Sequence, residues 1–161
     1  MFTGAVEMIT ANMVSAEVLI KRLSAYIKEN FKEVSPPEWA LLAKTSPIRE
    51  RVPDEPNEWW YVRAASIMRK IYVEGKLGNS DLMSIYGGAK RRGSAPNRFT
   101  KGPGHANRLI MRQLEKAGLL HKVKGGRILS GKGRSLMDRM SLEIFTEATE
   151  INPELKKYLG K

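Results

Sequence analysis

Cysteine is absent from the chain, which excludes disulfides and thiolate metal sites and is compatible with a reducing compartment. No apolar run approaches the ~18 residues that a membrane-spanning helix needs. Residues 1–14 lack a basic stretch followed by an apolar one, so no secretion signal is expected. Histidine is scarce: His105 falls at a helix start and His121 in a strand, and each is better read as structural than as catalytic. No HExxH, phosphate-binding glycine-lysine loop or nucleophile elbow is present. Asp54, Glu55 and Glu58 cluster beside prolines, where loop and cap roles account for them better than a metal does. An enzyme, a metal, a cofactor and a small-molecule substrate are all unexpected, and a soluble cytoplasmic protein is the default reading.

The most informative scarcity is of acid. Residues 82–114 contain none, and the wider span 82–137 holds thirteen Lys and Arg against Glu115 alone. The rest of the 161 residues carries fifteen bases and sixteen acids, so nearly all of the net charge of +11 comes from one block. Mixed-sign surface such as Glu29, Lys32 and Glu33 needs no partner. An unbalanced block repels itself, and its counter-charge is expected to be a polyanion. Nucleic acid and an anionic membrane surface are the two candidates.

Length and composition fit one domain with tails. Residues 1–14 show weak periodicity and read as a loosely packed extension, 15–145 as the domain and 146–161 as a polar tail. Ser15 is positioned to cap a first helix whose apolar residues Leu19, Ile20, Leu23, Tyr26 and Ile27 recur with a 3.6 period as far as Asn30. Pro36 and Pro37 open a short second helix carrying Trp39, Leu41 and Leu42. A proline-rich loop with Arg49 and Arg51 follows. Asn57 is the expected cap of a third helix, 58–73. One side of it carries Trp60, Ala64, Ile67, Met68 and Ile71; another carries Trp59, Arg63, Ser66 and Lys70, with Arg69 beyond. Trp59 is expected to be buried from that second side. Asn79 or Ser80 caps a short fourth helix to Tyr86. The glycines and prolines of 87–104 argue for a loop without regular structure. A fifth helix, 105–117, turns Ala106, Ile110, Leu114 and Ala117 inward and Arg108 and Arg112 outward. Residues 119–129 read as a hairpin turning at Lys124, Gly125 and Gly126, and 132–145 as a sixth helix with Leu136, Met137, Met140 and Ile144 inward.

This order, helices and then a basic hairpin and a further helix, is the layout of a winged helix. The fold class expected is mainly α: a winged-helix-like domain around a central helix with one small hairpin as its wing. Within the 87–104 loop, Lys90, Arg91, Arg92, Arg98 and Lys101 can neutralise phosphates, and its glycines permit close backbone approach. Tyr86 and Phe99 are candidates for stacking on unpaired bases, with core packing as the plain alternative, the more so for Tyr86. The phosphate-contact set is completed by Arg49, Arg51, Arg63, Arg69, Lys70, Arg108, Arg112, Lys124 and Arg127.

Four stretches carry a resemblance. W-W-Y-V-R-A-A-S-I-M-R-K-I-Y at 59–72, I-Y-G-G-A-K-R-R-G at 85–93, L-E-K-A-G-L-L with the later G-R-I-L-S-G-K-G-R, and P-P-E-W-A at 36–40 closely resemble the archaeal and eukaryotic small-subunit ribosomal protein nineteen family. The resemblance spans about 13–145. It implies a structural protein of the small-subunit head that binds ribosomal RNA and supports late subunit maturation, with other small-subunit proteins as neighbours. It implicates the basic face of the central helix through Arg63 and Arg69, and it places basic positions of 87–101 and Arg108 at RNA. The short hairpin turn suits an archaeal member. A monomer is expected outside the ribosome. The rival reading is a winged-helix transcription regulator whose Arg108 and Arg112 enter a DNA major groove, although no coiled-coil segment for dimerisation is evident.

Overall fold

A computed structural model describes residues 9–158. Helix α1 (Ala16–Asn30) forms on the predicted period and buries Leu19, Leu23 and Ile27. Ser15 occupies the cap position, but its hydroxyl makes no cap bond, and Glu17 supplies the favourable first-turn charge. Residues before α1 are less loose than expected: Ile9 and Ala11 are buried, and a turn closes from the Met13 N–H to the Thr10 carbonyl. The expected extension at 1–8 lies outside the described residues.

The short second helix is one 3-10 turn, Glu38–Leu41. Central helix α2 (Trp59–Glu74) packs against α1 and against three elements that follow it in the chain. Trp60, Ala64, Ile67, Met68 and Ile71 form its buried side, and Trp59 is buried as well, its indole N–H donating to the Ala40 carbonyl at 3.0 Å. The Asn57 cap is not formed. The backbone at Glu58 is already helical, and the Glu58 carboxylate pairs with Lys28 of α1. Helix α3 (Asn79–Ile85) starts from Gly78, whose N–H donates to Asp81 Oδ2 at 2.7 Å, so neither Asn79 nor Ser80 is its cap.

The stretch expected to be an irregular loop contains a second hairpin. Strand β1 (Gly88–Arg92) pairs antiparallel with β2 (Ala95–Thr100), with a register irregularity between Lys90 and Arg92. Gly93 at φ +67° makes the turn that a residue with a Cβ adopts poorly. Helix α4 (Gly104–Lys116) follows and buries Ala106, Ile110, Met111 and Leu114. The wing is β3 (Leu120–Val123) with β4 (Gly126–Leu129), and Leu77 extends this small sheet through a two-way backbone bridge to Arg127.

Helix α5 (Gly131–Ile151) is truly capped: Ser130 Oγ accepts from the Gly133 N–H and donates to the Gly118 carbonyl, tying the helix to the end of α4. It runs six residues past Phe145, where a polar tail was expected. The extra turns are held by burial of Thr149 and by a bidentate pair of Arg22 on α1 with Glu147, both bonds at 2.7 Å. That pairing holds Glu147 below the usual carboxylate range. A 3-10 turn, Pro153–Tyr158, closes the described chain. Helices α2, α3 and α4 with the β3–β4 wing give the winged-helix-like fold, and the two-stranded sheets are separate. No described helix is long and apolar enough to cross a membrane.

Candidate nucleic-acid interface

Hairpin β1–β2 places Lys90, Arg91, Arg92 and Arg98 on a surface the protein leaves uncovered, since every residue from Ala89 to Phe99 is exposed. Lys101 is exposed at its base. Lys90 sits directly opposite Arg98 in the ladder. Like charges so placed destabilise a strand pair, and neither side chain has a carboxylate within 4.0 Å among the described residues. Arg92 is partly engaged, donating from Nε and Nη2 to the Pro96 carbonyl at 3.1 and 3.0 Å. Phe99 is 62% exposed and free to stack. The hairpin's root is tight by contrast. A Cβ on Gly87 would lie 2.6 Å from the Thr100 carbonyl oxygen, and the Gly102 N–H donates to Met83 of α3 at 2.7 Å.

Beside this root lies a half-buried cation with no carboxylate within 4.0 Å among the described residues. Arg63 donates to Asn107 Oδ1 at 3.2 Å and to the Thr45 carbonyl at 3.1 Å, and its guanidinium stands 4.1 Å from the centre of the Tyr86 ring. Burial, with Arg49 nearby as a smaller cause, lowers its pKa from the ordinary arginine value. The Tyr86 hydroxyl shares a 2.7 Å hydrogen bond with Ser66, and burial raises its pKa. The wheel sets Arg63 on the side of α2 with Trp59, Ser66 and Lys70, and the structure finds it half-buried there. Loop 45–54 and the start of α4 fold over it, so Arg63 ties α2, the loop and α4 together. Tyr86 is its packing partner and not a free stacking platform.

The tie gathers other expected residues. Arg49 and Arg51 lie exposed on the 45–54 loop, which bounds a bowl of about 750 Å³. That loop meets the hairpin root, where Ile48 abuts Gly88. Arg108 follows Asn107 directly, and exposed His105, Arg108, Arg112 and Lys116 line one face of α4. Trp39 packs tilted against His105 at 5.5 Å and edge-on against Trp60 at 5.7 Å, bringing a partly exposed aromatic to the same end of α4.

Other residues fall apart from this group. Arg69 and Lys70 lie about two helical turns beyond Arg63 and are half-buried, with Arg69 Nε buried and without a hydrogen-bond partner. Arg127 is held in a 2.5 Å pair with Glu115 of α4, its side chain only 13% exposed. It fastens the wing, whereas Lys124 at the turn is exposed. Sequence reading passed over Asn107, whose complete burial and grip on Arg63 leave no mark in composition. It also left out Lys116, Lys122, Lys132 and Arg134, all exposed, although the count of bases in 82–137 already contained them.

Of the thirteen Lys and Arg in 82–137, Arg127 alone has a carboxylate within 4.0 Å among the described residues. The unpaired cations, on a hairpin, one helix face and the wing turn, make this a strongly basic winged-helix-like protein. The chain belongs to the ribosomal protein S19e family, whose pattern matches residues 10–147. It is 47% identical over 154 residues to the small ribosomal subunit protein eS19 of Aeropyrum pernix, covering 94% of this chain and all of that one. The eS19 of Thermoplasma volcanium is 37% identical over 152 residues, again covering 94% and 100%. That of Oryza sativa subsp. japonica is 38% identical over 133 residues, covering 82% of this chain and 90% of the relative.

Proposed function

We propose that the protein is a structural constituent of the small ribosomal subunit, in the cytoplasm, and that it binds ribosomal RNA of the subunit head and supports late maturation. The observation carrying this reading is the set of block cations left without carboxylate partners. The β1–β2 hairpin is the principal contact, with Arg49, Arg51, Arg108, Arg112 and Lys124 extending it and Phe99 stacking on an unpaired base. Arg63 and Arg127 act from behind, holding the loop and the wing in place. Binding releases counterions from the RNA, so affinity falls steeply with salt. Recognition is by shape, because an A-form major groove is too narrow for side chains to read.

A filter-binding titration on small-subunit RNA tests this. Replacing Arg91, Arg92 and Arg98 by Glu is expected to weaken binding roughly 100-fold and to flatten the salt dependence by about two to three units of slope. Replacing the exposed Lys21, Lys32 and Lys157 by Glu should change little. Equal losses from the two triple variants would sink the reading. Selection of a defined palindrome from random DNA duplexes would favour a DNA-reading role of α4 instead.

A further inference from the structure

The far end of α5 is acidic, opposite in sign to the basic block at 82–137. Residues 140–155 hold four glutamates and no Lys or Arg. Glu143, Glu147, Glu150 and Glu154 are all exposed, and each directly precedes a member of an apolar series, Ile144, Ala148, Ile151 and Leu155. On α5 the spacing of four and three puts Glu143, Glu147 and Glu150 in a stripe alongside Ile144, Ala148 and Ile151, and Glu154 and Leu155 follow in the 3-10 turn beyond. Ile144 closes on the core, Ala148 and Leu155 are half-buried, and Ile151 is left uncovered. With Met13 and Val18 of the α1 side the apolar series lines a groove of about 340 Å³, and Ile151 stands 88% exposed at its rim. Glu147 is engaged by Arg22, while Glu143, Glu150 and Glu154 have no basic partner within 4.0 Å among the described residues.

We infer that this groove is a docking site for a basic amphipathic helix of a second protein, whose apolar side fills the groove while its Lys and Arg meet the glutamate stripe. A contiguous apolar surface with a polar rim marks an interaction site. Ile144 to Ile151 spans two turns, about 10 Å, which suits anchors at i, i+3 or i+4, and i+7 of an incoming helix. The glutamates repel RNA and anionic lipid. In a two-fold contact between copies they would meet each other. Residues 1–8 of the chain hold Glu7 and no base to answer them. The inference rests on the groove and its charges and is independent of the RNA-binding surface.

The full chain, titrated with a labelled helical peptide of Leu and Lys, tests it. The peptide carries Leu along one side, and binding is followed by anisotropy and by amide shifts. Shifts should centre on Val18 and 144–155. Ile151→Asp, and separately Glu143→Lys with Glu150→Lys, should each weaken binding about tenfold. A Leu and Glu peptide, or a scrambled Leu and Lys peptide, should bind at least about tenfold more weakly. The inference is overturned if the Leu and Glu peptide binds equally or the shifts fall elsewhere. It is equally overturned if Ile151→Asp has no effect on peptide binding or abolishes a dimer seen by sedimentation. A gain of about tenfold on deleting residues 1–8 would name the chain's own N-terminus as the occupant.

Discussion

The molecule contains two antiparallel hairpins of similar size that are built on opposite terms. In β3–β4, Leu120 is buried, all four residues of β4 are at least half-buried, Leu77 extends the sheet, and Arg127 is neutralised by Glu115. In β1–β2, nothing between Ala89 and Phe99 is covered, and Lys90 faces Arg98 without an anion. The first hairpin is stabilised from within the protein. The second is anchored only at its root, and under the proposed function RNA completes it. Positive charge thus has two uses here: paired, it fastens an element, and unpaired, it offers one.

Three substitutions probe that difference. The largest effect belongs to the anchored hairpin. A methyl at Gly133 would run into the Leu119 carbonyl oxygen just before β3. Gly133→Ala is therefore expected to cost about 2–3 kcal/mol, lowering Tm by roughly 5–10 °C in a thermal scan. An unchanged Tm would show that the wing's seating is not tight. Next, Arg127→Gln removes a largely buried ion pair and should cost about 1–2 kcal/mol in a urea titration. It should lower RNA affinity less than Arg91→Glu does. The reverse order would return Arg127 to the contact surface. The smallest effect has the opposite sign. Arg98→Glu places an opposite charge across from Lys90 and should stabilise β1–β2 by about 0.2–1 kcal/mol. Slower amide exchange in 88–100 would report it, while RNA affinity falls about tenfold. Faster exchange would mean that repulsion does not govern this hairpin.

The same contrast explains what could be read from the sequence. The wing was legible because 119–123 and 127–129 are short apolar runs around a glycine turn, and α1, α2 and α4 were legible from their buried periodicities. The β1–β2 hairpin was not. A strand with no buried face shows no alternation, and its Gly and Pro residues look like loop. Its ladder is visible only in the backbone pairing. The last turns of α5 escaped for a related reason: Thr146, Glu147, Thr149 and Glu150 read as a polar tail, although Thr149 is buried and Glu147 is clamped from α1. Among contact candidates the charge block was plain, but sorting free cations from committed ones needs tertiary partners. A wheel fixes the angle of Arg63 on α2 and says nothing of the loop that folds over it.

The opposed Lys90 and Arg98 also bear on the fate of copies that never reach a subunit. Their repulsion is screened by salt when the protein is alone and, in the proposed RNA complex, would be cancelled by phosphate. Added salt should therefore steady the free protein while loosening the complex. If the hairpin meets RNA as proposed, a copy without RNA keeps this repulsion, and its hairpin is expected to open more often and to be the better protease substrate. Pulse–chase should find unassembled protein short-lived and the Arg98→Glu variant longer-lived while free. Equal lifetimes of the two free forms would separate turnover from the hairpin.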